Sequence, residues 1–191
     1  MKKPIQYDFY RLTGKKPSLM SFIRTLWIPG FRYLFVFRAI QSTRFSILRL
    51  FLKFLLRRYQ FKFGYQIPSQ TKIGRGLLIG HFGRIIINSK VVIGENCNIN
   101  SGTVIGSTSR GNRKGAPKIG NNVWIGVNSV VVGNISIGNN VLIAPGSYVN
   151  IDIPSNSLVM GNPCTVKNKE NATVGYINRV YKCKGTQQES S

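Results

Sequence analysis

Few side chains in this sequence are equipped for chemistry. Its 191 residues include one histidine, His81, five Asp plus Glu and three cysteines. A lone imidazole is suited to taking a proton near neutral pH. It also excludes sites built on two or three imidazoles, and with them most catalytic zinc chemistry. Five carboxylates leave little for an acidic cation cage or a paired-carboxylate hydrolase, so no metal is expected. Cys97, Cys164 and Cys183 form no CxxC pair and are odd in number. Neither a disulfide framework nor a zinc ribbon follows, and reduced thiols in a cytosolic compartment are the default.

What must position His81 is divided by composition. The formal net charge is +22. Residues 1–66 carry 14 Lys/Arg against Asp8 alone, with ten of the eleven phenylalanines and five of the eight tyrosines. Residues 67–166 carry eight Lys/Arg against Glu95 and Asp152, and residues 167–191 five against Glu170 and Glu189. The reading is three segments: a basic aromatic helical segment at 1–66, a second domain at 67–166, and an extension at 167–191 whose end from Gly185 is expected to be disordered. Charge of this sign suits phosphates, phospholipid headgroups or anionic glycans. Nucleic acid is not expected, because no recognised binding motif accompanies the charge.

Within the first segment, helices are predicted over about Gly30 to Gln41, after Pro29, and over Phe45 to Phe61. In the second of these, Arg49, Lys53 and Arg57 fall four apart on one face, and Leu48, Phe51, Leu52 and Leu55 cover another. Cations interrupt the apolar residues too often for a transmembrane span, and Asp8 and Arg11 precede any apolar run of signal-peptide length. A basic helix with an aromatic and aliphatic face suits an interfacial membrane segment. The alternative is that the apolar faces pack on the rest of the protein and the charges are solvated.

From Ile67 a different texture begins. Aliphatic residues recur every six positions to Val149, with an eight-residue step placed between Ile85 and Ile93 and a fourteen-residue step between Ile105 and Ile119. The residue after each mark is usually small, as at Gly80, Gly94, Gly106, Gly120, Gly126 and Ala144. Strands repeat by two and helices by about 3.6, so a period of six held this long marks a hexapeptide solenoid. One aliphatic side chain per short strand points inward, three strands make a coil, and the coils stack into a prism. Grouping the marks in threes puts Ile79, Ile99, Ile125 and Ile143 on one face. Two residues after each lie His81, Ser101, Val127 and Pro145, expected to stack along one edge. Neighbouring strands are ~4.8 Å apart, so that column spans roughly 14 Å. The fourteen-residue step holds Ser107 to Pro117, has no large apolar residue, and must leave the prism as a loop.

These residues carry a resemblance. Residues 67–166 resemble the left-handed β-helix acetyltransferases of the hexapeptide family, in the serine O-acetyltransferase-like branch that includes sugar O-acetyltransferases. The motifs are Gly80-His81-Phe82-Gly83, Asn96-Cys97-Asn98-Ile99, Gly102-Thr103-Val104-Ile105-Gly106, Ala116-Pro117-Lys118-Ile119-Gly120, and Ile153-Pro154 with Val159-Met160-Gly161-Asn162-Pro163. The implied fold is mainly β, a left-handed parallel β-helix of hexapeptide repeats with an N-terminal basic α-helical segment.

The resemblance implies acetyl transfer from acetyl-CoA, with His81 as general base, in a homotrimer whose active sites lie between subunits. It places Gly126, Val127, Ala144 and Pro145 along the pantetheine and basic residues such as Lys118 and Lys167 at the nucleotide end. The loop cations Arg110 and Arg113 would reach a neighbouring subunit's site to hold CoA phosphates or an anionic acceptor, near Ser101. An acyl-cysteine route is not expected, since no histidine lies near Cys97 or Cys164 in sequence.

The chain departs from serine acetyltransferases where they pair their histidine with an acidic residue: the matching positions are Gln66 and Gly80, and their second histidine aligns with Ala116. Another group must then set the tautomer of His81, with Gln66, Asn88 or a backbone carbonyl the candidates. These departures lead to the expectation of a sugar hydroxyl as acceptor, in polysaccharide assembly at the inner face of a membrane. Serine O-acetylation is the alternative, and a non-catalytic module for anionic membrane surfaces is the alternative of another class.

Overall fold

The computed structural model describes residues 4–180, so Cys183 and the tail from Gly185 lie outside the described residues. Four helices come first: α1 (Pro4–Thr13), α2 (Leu19–Thr25), α3 (Pro29–Ser42) and α4 (Ser46–Phe63). The two longer helices fall where the apolar periodicity predicts them. Pro29 opens α3 at a position where its missing N–H costs nothing. Gly64 closes α4 in the left-handed conformation, its N–H donating to the Gln60 carbonyl. α1 and α2 are not foreseen from the sequence.

Beyond α4 the chain winds into a parallel β-solenoid. One face stacks Tyr65–Gln66, Ile85–Ile87, Val104–Gly106, Val130–Val132 and Tyr148–Val149. A second stacks Lys72–Ile73, Val92–Ile93, Lys118–Ile119 and Ser136–Ile137. The third stacks Leu78–Ile79, Asn98–Ile99, Val123–Ile125, Val141–Ile143 and Ser157–Met160, with Thr165–Asn168 added antiparallel at its end. Every six-residue mark from Ile67 to Val149 is buried. The corners between the second and third faces use asparagines at positive φ, among them Asn96, Asn122 and Asn140, a conformation that asparagine tolerates better than most residues.

One expectation is corrected here. The register pairs Tyr65 with Ile85, and Ile87, not Ile85, with Ile105. The eight-residue step therefore runs from Ile79 to Ile87, and the step from Ile87 to Ile93 is the regular six. The two additional residues widen the turn that carries His81.

The helices pack on the solenoid. Tyr33, Phe37 and Ile40 of α3 and Leu56 and Phe63 of α4 join one core cluster with Ile79, Ile85 and Ile99. Gly30 lets α3 lie directly on the strand before His81, since a Cβ there would stand 2.8 Å from the Ile79 carbonyl oxygen. A buried polar clamp fixes α1 and α3 to the first coil. The Asp8 carboxylate accepts from Arg38 Nε at 2.9 Å, Gly76 N at 2.7 Å and Leu77 N at 3.0 Å. Arg38 also donates to the Ile73 carbonyl at 2.7 Å and the Gly74 carbonyl at 2.6 Å. Arg11 donates to the Gly76 carbonyl at 3.2 Å and to Asn98 Oδ1. Burial pushes the Asp8 carboxyl above its ordinary value, opposed by the guanidinium and the two amides. These three charged side chains are inside the protein, not solvated.

α4 also differs from the expected pattern. Leu52, Leu55 and Leu56 turn inward, whereas Phe51 is exposed. Among the described residues no helix is long and apolar enough to cross a membrane.

Candidate active site

His81 lies in the turn from the third face to the first, between strands Leu78–Ile79 and Ile85–Ile87. The widened turn is held from three sides. The end of α4 holds it twice: Gly83 N donates to the Phe63 carbonyl at 3.3 Å and Ile85 N to the Gly64 carbonyl at 3.0 Å. From below, Gly102 N donates to the Arg84 carbonyl at 2.6 Å. From inside, the Tyr65 hydroxyl donates to the His81 carbonyl at 3.3 Å. Tyr65 is fully buried and packs edge-on against Tyr33, ring centroids 5.3 Å apart. Burial raises its hydroxyl to about 12, which keeps it a proton donor over the physiological range.

The His81 side chain is exposed, and among the described residues its imidazole forms no hydrogen bond or ion pair. Its main chain is fixed while its ring is open to solvent. That is the arrangement required of a base that must meet a substrate proton.

Below the turn the edge continues as expected. Ile79 pairs with Ile99, Ile99 with Ile125 and Ile125 with Ile143. The stacking runs past the strand ends, with Asn128 N donating to the Ser101 carbonyl at 3.0 Å and Gly146 N to the Val127 carbonyl at 2.9 Å. Ser101, Val127 and Pro145 are thus successive rungs of one edge. Val127 and Pro145 are exposed and Ser101 is half-buried. The carbonyls of Gly126 and Ala144 are used inside the prism. Gly126 accepts from the Thr103 hydroxyl at 3.3 Å; Ala144 accepts from the Ser129 and Ser147 hydroxyls at 3.0 Å and 2.7 Å. An arm lying along this edge therefore meets Val127 and Pro145 rather than those two carbonyls.

Other predicted site residues lie elsewhere on the single chain. Gln66 and Asn88 line an open groove of about 720 Å³ between α4 and the first face, together with Arg57 and Gln60. Asn88 donates to Ser107 Oγ at 3.0 Å and accepts from Lys90 N at 2.9 Å. Neither Gln66 nor Asn88 hydrogen-bonds to His81, so among the expected groups that could orient the imidazole both are unengaged with it.

The loop after Val104–Gly106 leaves the prism, as predicted, and is folded back on itself. Thr108 and Gly115 exchange main-chain bonds of 3.0 Å and 3.1 Å. Arg113 pairs with Asp152 at 3.0 Å, and Asp152 also accepts from Ser136 N at 2.7 Å. The Ser136 amide and then the Arg113 guanidinium hold the Asp152 carboxyl below its ordinary value. Arg113 thus tethers the loop, while Arg110 stays exposed. Lys118 is exposed on the second face and Lys167 on the terminal antiparallel strand.

Cys97 is fully buried and its thiol is pushed up to about 12 by burial, which leaves it inert as a nucleophile. Among the described residues no cluster of three or more His, Cys, Asp or Glu forms. Sequence reasoning missed Tyr65 and the α4 clamp on the turn. The glycine closing α4 was visible in the sequence, but the contact between Tyr65 and His81 is tertiary.

Fold and edge together define a parallel β-solenoid of hexapeptide repeats with a histidine-bearing corner. The family model described as bacterial transferase hexapeptide (six repeats) matches residues 116–150. The chain is 31% identical over 167 residues to a serine acetyltransferase of Synechococcus elongatus, covering 85% of this chain and 67% of the relative. It is 30% identical over 164 residues to serine acetyltransferase 2 of Arabidopsis thaliana, covering 85% of this chain and 51% of the relative, about half that protein's length. Among solved structures it is similar to Neisseria gonorrhoeae serine acetyltransferase in complex with serine. There the TM-score is 0.71 at 28% identity, over 86% of this chain and 68% of that one.

The chain belongs to the hexapeptide-repeat acetyltransferases, in their serine O-acetyltransferase-like branch. These likenesses overturn the expectation of a sugar acceptor in polysaccharide assembly. The missing carboxylates had pointed away from serine, yet the relatives matched over most of the chain are serine acetyltransferases.

Proposed function

We propose that this chain transfers an acetyl group from acetyl-CoA to the hydroxyl of serine. The observation that carries the reading is likeness over 85% of the chain to a serine acetyltransferase, joined to a solvent-open His81 on a fixed turn. An imidazole nitrogen of His81 accepts the serine hydroxyl proton as the serine oxygen attacks the thioester carbonyl carbon. The tetrahedral intermediate collapses with rupture of the carbon–sulfur bond. The imidazolium returns the proton to the leaving CoA thiolate, giving O-acetylserine and CoA.

In this reading the pantetheine arm lies along the edge formed by Ser101, Val127 and Pro145. The active assembly is a homotrimer. Arg110 of a neighbouring subunit meets the carboxylate of serine or a CoA phosphate, and Lys118 and Lys167 serve the nucleotide end. Without a carboxylate at position 66 or 80, the tautomer of His81 is set by the bound substrate or by the neighbouring subunit. The protein works as a peripheral protein on the inner face of a membrane.

Thiol release from acetyl-CoA in the presence of serine tests the proposal. Serine-dependent CoA release is expected, and His81→Ala should abolish it while leaving acetyl-CoA binding in place. Equal release by the variant, or no serine-dependent release by the wild type, overturns the reading.

A further inference from the structure

α4 is apolar on two faces, and only one of them is used. Leu52, Leu55, Leu56, Tyr59 and Phe63 face the core. On the 3.6-residue period, Ile47, Leu50, Phe51, Phe54 and Phe61 form a second stripe on the opposite side. These five side chains are 62–87% exposed. Lys53 and Arg57 flank the stripe on one side and Lys62 on the other, with Arg58 inside it. On α2, Leu19 is likewise 81% exposed. The Arg32 guanidinium lies 5.9 Å from the ring centres of both Trp27, itself 78% exposed, and the core-facing Phe63.

Charge decides which occupant fits. From Phe9 through Gln66 the sequence contains no Asp or Glu. A second copy of this face would set cation against cation, without a carboxylate from either side. An anionic lipid surface supplies the missing sign, takes the aromatic and aliphatic stripe into its acyl boundary, and lets the long basic side chains reach the headgroups.

We infer that the exposed face of α4 docks the protein on membranes rich in anionic lipid. This deepens the peripheral attachment proposed above and does not depend on which acceptor is acetylated. The docked helix is also the one whose C-terminal end holds the His81 turn through Phe63 and Gly64.

The test is co-sedimentation of the full chain with vesicles of phosphatidylcholine alone or mixed with phosphatidylglycerol. Binding is expected only to the mixed vesicles. Each of Lys53→Gln and Arg58→Gln should weaken it roughly fivefold, and Phe51→Ser with Phe54→Ser more than tenfold. Both phenylalanines are exposed, and unchanged thermal melting will show that the double variant folds. Absence of binding to the mixed vesicles overturns the inference, as does full retention by the phenylalanine variant. A smaller assembly formed by the phenylalanine variant also overturns it, since the face would then be covered by another copy. CoA release measured on the same samples keeps a failure of docking distinct from a failure of the acetyl-transfer reading.

Discussion

Tyr65→Phe isolates one bond beneath the proposed catalytic base. The substitution keeps the buried ring and its edge-on contact with Tyr33, and removes the hydroxyl that donates to the His81 carbonyl at 3.3 Å. A neutral hydrogen bond contributes about 0.5–1.5 kcal/mol net, and this length places it near the lower end. The His81 side chain has no partner of its own among the described residues, so the main chain of the turn sets where the imidazole stands. If the lost energy appears as misplacement of the base, kcat falls about 2- to 13-fold, at tenfold per 1.36 kcal/mol. The KM for acetyl-CoA should change little, because the edge through Val127 and Pro145 is untouched. Tyr33→Phe is the control. It removes a shorter bond, 2.7 Å to the Ile67 carbonyl, in the same aromatic stack and away from the turn. Steady-state CoA release with serine and thermal melting, run on both variants, separate the roles. Tyr65→Phe should lower kcat, whereas Tyr33→Phe should lower stability alone. If both lose similar stability and neither loses kcat, Tyr65 is a core residue and the positioning argument is wrong.

Two further perturbations address the frame around the site. Asp8→Ala strands Arg38 inside the protein and leaves the Gly76 and Leu77 amides without their acceptor, so denaturant unfolding should show a loss of about 3–5 kcal/mol. Combining it with Arg38→Met should recover only part, because the Ile73 and Gly74 carbonyls then lose their donor. Gly126→Ala places a Cβ 2.5 Å from the Pro145 nitrogen and 2.8 Å from its Cα, with only backbone to yield. The coils must spread at the edge proposed for pantetheine, at a cost of about 1–3 kcal/mol. Melting should fall by roughly 2–12 °C, at 2–4 °C per kcal/mol for a chain of this size. The KM for acetyl-CoA should rise, and an unchanged KM would remove that edge from the binding site.

The six-residue marks are legible because each serves a single purpose: it must be aliphatic and it must point inward. The register error at Ile85 has a definite physical source. Ile85-Ile86-Ile87 is a run of three isoleucines, and Ile85 and Ile87 face the same side of the strand. Both are buried, so either could be the mark, and only pairing of Ile87 with Ile105 decides between them. The consequence is functional, because the choice determines whether the two additional residues fall in the His81 turn or after the strand. Residue type was a weaker guide for the charged side chains. Arg11 and Arg38 carry the same composition signal as the solvated cations around them, and what buries them with Asp8 is the set of coil carbonyls and amides at positions 73–77, which no local pattern announces.

The same distinction explains why the acceptor was misread. Gln66 and Gly80 were compared with carboxylates as though the imidazole had to be oriented by its own chain. The structure separates two tasks that the motif alone merges. The height and direction of the turn are fixed from within the chain, by the end of α4, by Tyr65 and by the amide of Gly102. The ring itself is left without an internal partner. A base held in this way needs no carboxylate of its own to be placed, only one group to select its tautomer, and in the proposed reaction the bound substrate or a neighbouring subunit supplies it. Losing the acidic partner therefore changes how the imidazole is tuned, and leaves open which hydroxyl it serves. Dependence of kcat on pH tests this separation. If bound substrate sets the tautomer, the profile of kcat against pH should be displaced from that of kcat/KM. Coincident values in the two profiles would mean that an internal partner sets the tautomer after all.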